Sequence, residues 1–128
     1  MARLVVICLD TNYLIRCLED GSEEANRITD WYRRGERLIA PMPAWYEFLC
    51  GPITAEQEEI VRAFLAEVIP FHEEQAREAS RLLNATGRKR GLRVDAMIAA
   101  TAIVSGARLA TGNRNDFAPF LEHGLELV

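Results

Sequence analysis

The sequence is poor in the residues that many enzyme chemistries recruit. Among 128 residues it holds one lysine, Lys89, two histidines, His72 and His123, and three cysteines, Cys8, Cys17 and Cys50. The cysteines are odd in number and lack CxxC spacing, which excludes a disulfide framework and a zinc clip; they read as small buried apolar residues in a reducing compartment. No GxGxxG or GxxxxGK[ST] segment occurs, so the two common glycine-rich phosphate cradles are excluded. Long apolar runs are missing too. The longest, Leu4 to Leu9, stops at Asp10 and is too short for a signal peptide or a membrane span. A cytoplasmic protein without membrane association is expected.

What is present is an ordinary globular composition, 49% hydrophobic and 27% charged with a formal net charge of -4. That balance excludes a disordered tail or a collagen-like repeat. The length suits one domain spanning residues 1–128. An acid excess of 19 against 15 basic side chains, taken as a total, argues against a nucleic-acid partner.

The continuously apolar run Leu4 to Leu9 predicts a strand covered on both faces, as in a parallel sheet. Short helices are expected over Tyr13 to Cys17 and Ala44 to Leu49, the latter just after Pro41 and Pro43. A longer one runs from Glu23 to Arg34, between an N-cap at Ser22 and a stop at Gly35. Thr54 and Gln57 form a capping box ahead of Ile60, Val61, Phe64 and Leu65 at helical spacing. Glu73 to Thr86 and the apolar stretch Val94 to Val104 predict two more helices, the second buried. Strands are expected at Arg37 to Ala40, Val68 to Phe71, Arg108 to Thr111 and Leu125 to Val128. Strands alternating with helices throughout imply a three-layer α/β/α sandwich around a mostly parallel five-stranded sheet.

Most acids lie on helix faces beside arginines, but Asp10, Glu47, Asp95 and Asp116 stand apart. Each has an ordinary structural use: Asp10 as an N-cap, Asp95 as an acid favoured by the helix dipole, Glu47 turned to solvent, Asp116 as a turn residue. Jointly they mean more, since in a parallel sheet all four fall near strand ends or helix starts on one edge, where α/β ligand sites gather. Carboxylates about 5 Å apart would repel by roughly 3 kcal/mol at an effective dielectric of 20, so such a cluster needs a cation or must take up protons. With neither histidine near them in sequence, oxygen donors favour Mg²⁺ or Mn²⁺ over zinc, and phosphodiester hydrolysis fits such a site.

At these residues the sequence resembles the PIN-domain nucleases, and within them the VapC-type toxins of toxin-antitoxin pairs. The matching pieces are Leu9-Asp10-Thr11-Asn12, Tyr46-Glu47-Phe48-Leu49, Val94-Asp95-Ala96-Met97-Ile98 and Thr111-Gly112-Asn113-Arg114-Asn115-Asp116-Phe117, in that order over nearly the whole chain. The resemblance implies a sheet ordered 3-2-1-4-5 and a metal-dependent endoribonuclease. It implies Asp10 and Asp95 as principal metal ligands, Glu47 and Asp116 as the acids completing the site, and Thr11, Asn12, Thr111 and Asn113 as supporting hydrogen-bond partners. It also implies an RNA substrate, a VapB-type antitoxin and a homodimer.

The charge is unevenly spread. Residues 1 to 76 carry 7 basic and 14 acidic side chains, residues 77 to 115 carry 8 and 2, and the remainder carries none and 3. The positive block includes Arg88, Lys89, Arg90 and Arg93 just before Asp95, so they become candidate RNA phosphate contacts; 14 of the 15 basic residues are arginine, which suits bidentate phosphate binding. Two other readings stand beside the nuclease. One is a PIN-fold module that binds RNA or a partner without turnover. The other, an Asp-dependent phosphotransfer domain, lacks a lysine at a late strand end.

Overall fold

The computed structural model describes residues 4–128. Four parallel strands, β1 (Val6–Leu9), β2 (Arg37–Pro41), β3 (Glu67–Ile69) and β4 (Arg108–Ala110), form one sheet in the order β3-β2-β1-β4. Helices flank it: α1 (Thr11–Arg16), α2 (Glu23–Arg33), α3 (Met42–Leu49), α4 (Ala55–Phe64), α5 (Glu73–Ala85), α6 (Arg93–Val104) and the single turn α7 (Arg114–Phe117). Short 3₁₀ turns at Arg90–Leu92 and Ala118–His123 lead into α6 and follow α7. Among the described residues, no helix is long and apolar enough to cross a membrane.

The expected fifth strand shrinks to a single parallel bridge, Leu109 with Leu127, held by Leu109 N donating to Glu126 O at 2.9 Å and Val128 N donating to Leu109 O at 3.0 Å. It lies beside β4, so the 3-2-1-4-5 order is kept with its last member reduced. The third strand also differs: it runs over Glu67–Ile69 rather than Val68 to Phe71, because Pro70 has no amide hydrogen to extend the ladder. β1 starts two residues late, and Leu4 and Val5 are exposed. Asp116 lies within α7 rather than in an open turn. The cysteines divide: Cys8 is buried in β1, Cys17 half-buried and Cys50 exposed at the end of α3.

Several helix boundaries follow from their caps. Ser22 accepts from Ala25 N at 3.0 Å, and Thr54 and Gln57 cap α4 reciprocally. At α5, Gln75 accepts from His72 N at 3.0 Å. Gly35 follows α2 at a φ of +78°, a left-handed conformation in which a side chain would be strained.

One hydrophobic core joins the sheet to the helices: Ile7, Cys8 and Leu9 of β1, Leu38 to Ala40 of β2, Leu109 and Ala110 of β4, with Leu14, Ile28, Phe48, Leu82 and Ile98 from the helices. α6 is buried on several sides, with Ala96, Ala99, Ala100 and Ala102 all covered. Their small side chains let this helix lie against both α5 and β4.

From β1 the chain steps outward to β2 and β3, then returns across the sheet to place β4 on the other side of β1. Connections leaving β1 and β4 therefore diverge, which opens a crevice at the carboxyl ends of these two strands. Phe48, fully buried on α3 with its ring centroid 5.1 Å from that of Trp45 and tilted 38° to it, anchors one wall of it. Phe48→Ala is expected to cost about 3–5 kcal/mol, read as a lower urea midpoint with an unchanged slope.

Candidate functional site

Asp10 follows the last residue of β1 and is 5% exposed. Its Oδ1 accepts the amide of Thr11 at 2.7 Å, so it caps α1. Its Oδ2 accepts the hydroxyl of Thr111, one residue past β4, also at 2.7 Å. The backbone closes the same junction, with Asp10 N donating to Ala110 O at 3.0 Å. The Thr111 hydroxyl oxygen in turn accepts Asn113 N at 3.0 Å, which orders the loop leading to α7. Structural cap and site residue are thus one side chain.

Glu47 comes from α3, where Ala44, Trp45 and Phe48 are buried and Tyr46 and Glu47 are exposed. Burial of that face turns the next one outward, and Glu47 Oε1 accepts a long hydrogen bond from Thr11 Oγ1 at 3.4 Å. Asp95 sits in the first turn of α6, whose N-cap, Leu92, makes no side-chain bond. Asp10, Thr11, Asn12, Glu47, Asp95 and Asn113 line one cavity of about 270 Å³, completed by Ile15 and Ile98. Asp116 is exposed and lines a neighbouring cavity of about 310 Å³ that shares Asn113.

The electrostatics tie the four acids together. Burial raises the Asp10 carboxyl above its ordinary value; the bonds from Thr111 and Thr11 oppose this, and the charge of Asp116 adds to it. Asp95 is pushed up to about 6, first by burial, then by Asp10, Asp116 and Glu47. None of the four acids pairs with an arginine or lysine among the described residues. Nor are any three His, Cys, Asp or Glu side chains there already drawn together as a cation site. The donors fit a hard divalent ion even so: they are all oxygen, they repel one another, and no arginine or lysine among the described residues pairs with them.

The sequence pointed to all six of the cavity's polar residues and missed its two isoleucines. Their signal was helical spacing, Ile15 four residues after Thr11 and Ile98 three after Asp95. Arg88, Lys89, Arg90 and Arg93 line neither cavity; they are exposed on the approach to α6 and make no ion pair or side-chain hydrogen bond among the described residues. Other arginines of the positive block are engaged: Arg81 donates to His123 O at 2.8 Å and Arg114 to Val128 O at 2.9 Å.

An open parallel sheet with acids from four segments gathered at its carboxyl edge defines an α/β domain with an acidic site at its topological switch point. The chain matches the PIN domain family over residues 7–119 and belongs to it. Solved structures share the fold. The chain is similar to DNA-bound VapBC from Salmonella typhimurium, with 20% identity, a TM-score of 0.74 and 98% of each chain covered. It is similar to VapBC2 from Rickettsia felis bound to a promoter DNA fragment, with 18% identity, a TM-score of 0.72 and coverage of 97% of this chain and 98% of that one. It is also similar to a toxin-antitoxin complex from Klebsiella pneumoniae, with 26% identity, a TM-score of 0.69 and coverage of 88% and 90%. No curated protein sequence matches.

The raised Asp95 carboxyl makes stability depend on pH. Unfolded, it ionises near 3.8; folded and metal-free, it holds its proton up to about 6. The metal-free protein is therefore expected to gain stability as the pH falls from 7 towards 4 through this group, opposite to a salt-bridged aspartate. Asp95→Asn should stabilise it at pH 7 by on the order of 1 kcal/mol, allowing for solvent screening, and flatten the gain; urea unfolding at pH 7 and pH 5 reads both.

Proposed function

We propose that this protein is a Mg²⁺- or Mn²⁺-dependent endoribonuclease, acting in the cytoplasm as the toxin of a VapBC-type pair. The observation that carries this reading is the convergence of Asp10, Glu47 and Asp95 on one cavity, with Asp116 near enough to raise two of them. The family supports nuclease chemistry, and the neighbours described as toxin-antitoxin complexes support a VapB-type antitoxin as partner. The resemblance to VapC-type toxins adds a homodimer.

Asp10 and Asp95 would hold the ion, with Glu47 and Asp116 completing the set directly or through water. A divalent ion held there would supply hydroxide at neutral pH, an anchor for the phosphate and a counter-charge for the developing negative charge. The protein's part is placement. Thr11 N and Thr111 Oγ1 each donate to one oxygen of Asp10, which favours its charged form and fixes its plane. Glu47, exposed and only loosely held by Thr11, is free to orient the attacking water. The antitoxin's role follows from the same chemistry, since acids without a cation are a receptor for an arginine fork.

Purified protein freed of its antitoxin is expected to cut RNA with Mg²⁺ or Mn²⁺ and to stop on chelation. Asp10→Asn and Asp95→Asn should each lower the cleavage rate by about a hundredfold or more while the circular dichroism spectrum stays unchanged. Wild-type protein that cuts no RNA with either ion, or variants that cut as well as wild type, would overturn the reading. Thr111→Val, which removes the hydroxyl that clasps Asp10 and accepts the Asn113 amide, should weaken metal affinity by about tenfold, measured by calorimetry.

Arg88, Lys89 and Arg90, without acidic partners among the described residues, would bind the RNA backbone. Replacing all three with glutamine should reduce the slope of log affinity against log salt by about 2 for single-stranded RNA. An unchanged slope would exclude them as phosphate contacts.

A further inference from the structure

Of the four acids, Asp116 stands on the shortest helix. It rides on α7, a single turn whose N-cap, Asn113, makes no side-chain bond, and one turn of helix has little stability of its own. What places α7 is therefore what its side chains reach. Successive residues of a helix point about 100° apart, so Arg114, Asp116 and Phe117 leave α7 on different faces. Phe117 is buried in the core. Arg114 Nη1 donates to the main-chain oxygen of Val128 at 2.9 Å. Asp116 is left exposed, lining the cavity that shares Asn113 with the acidic one. The Val128 acceptor is itself held, because Val128 N donates to Leu109 O of β4 at 3.0 Å. A line of contacts thus runs from β4 through Val128 and Arg114 to the helix that carries Asp116.

We infer that Arg114 is a positioning residue for the acidic site: its bond to Val128 fixes the rotation of α7 about the buried Phe117 and with it the place of Asp116. The inference rests on the reading of that site as a cation site and deepens it by naming what holds its fourth acid. A buried ring alone lets a one-turn helix swing about it; an attachment on a second face stops the swing. Thr111, whose hydroxyl accepts Asn113 N, holds the residue before the turn rather than the turn itself. The same bond also turns a positive charge away. Arg114 lines the cavity of Asp116, two residues away, yet makes no ion pair with it among the described residues. A guanidinium aimed at the acids would occupy the place of a divalent ion.

Position and charge predict opposite signs, which makes the idea testable. Arg114→Ala removes a positive charge beside a cation site, and by Coulomb attraction alone Mn²⁺ would then bind more tightly. Loss of positioning makes it bind more weakly. Calorimetric titration with Mn²⁺, in the absence of RNA and antitoxin, compares wild type, Arg114→Ala, Arg114→Lys, Asp116→Asn and the double variant Arg114→Ala/Asp116→Asn. Arg114→Ala is expected to weaken Mn²⁺ binding by about fivefold, within the range of one lost hydrogen bond. Arg114→Lys keeps a donor on a long stem and should stay within about twofold of wild type. With Asp116→Asn already present, Arg114→Ala should cost nothing further, because it acts through that carboxylate. The bond is exposed, so circular dichroism of every variant should match wild type. Unchanged or tighter Mn²⁺ binding by Arg114→Ala would overturn the inference, and so would an equal loss in the Asp116→Asn background. Wild-type protein that takes up no Mn²⁺ would overturn the cation site and this inference together, whereas failure of the inference alone shows only in the variants.

Discussion

The site depends on a carboxylate buried at the end of the central strand. Asp10 is covered almost completely at the carboxyl end of β1, where burial disfavours its charge. It is held there by the Thr11 amide and the Thr111 hydroxyl, one from the helix that follows β1 and one from the loop that follows β4. The clasp fastens together the two strands whose connections diverge, and so keeps the crevice from collapsing or widening. Removing the hydroxyl would leave the burial in place and take away part of what opposes it, the asymmetry that makes half-satisfied polar groups costly.

Around this clasp the other acids are placed by hydrophobic packing. Phe48 and Trp45 bury one face of α3 and leave Glu47 on the other; the alanines of α6 draw that helix into the core and carry Asp95 with it. Apolar residues thus aim the charged ones toward one crevice although they repel. The cluster is a strained electrostatic arrangement stabilised from outside itself, which is the condition under which a divalent cation binds with most effect.

Much of this was legible in the sequence because its signals are local. The apolar run before Asp10, the capping box at Thr54 and Gln57, and the unbroken apolar helix after Asp95 each speak through spacing alone. The acids could be singled out because each departs from its surroundings, a charge closing an apolar strand or lying among aromatics. What was not legible depends on distant neighbours. Cys50 resembles Cys8 in sequence, yet it falls at an exposed helix end while Cys8 lies in the central strand. The fifth strand is reduced because only Leu127 reaches bridge register with β4, a pairing that local β propensity does not determine. An apolar groove lined by Met42, Phe71 and Val94 was invisible because these residues belong to separate segments and meet only in the folded chain.

The bond between Asp10 and Thr111 spans 101 positions. β1 precedes its partner β4 by more than 90 residues in the chain, with helices α1 to α6 between them. A nascent chain carries Asp10 through all six of those helices before the residue that clasps it is made. The acidic crevice is therefore closed only when β4 and α7 are made, and whatever binds there encounters a finished surface rather than one under assembly. The Asp10 clasp exists only in chains that extend past β4.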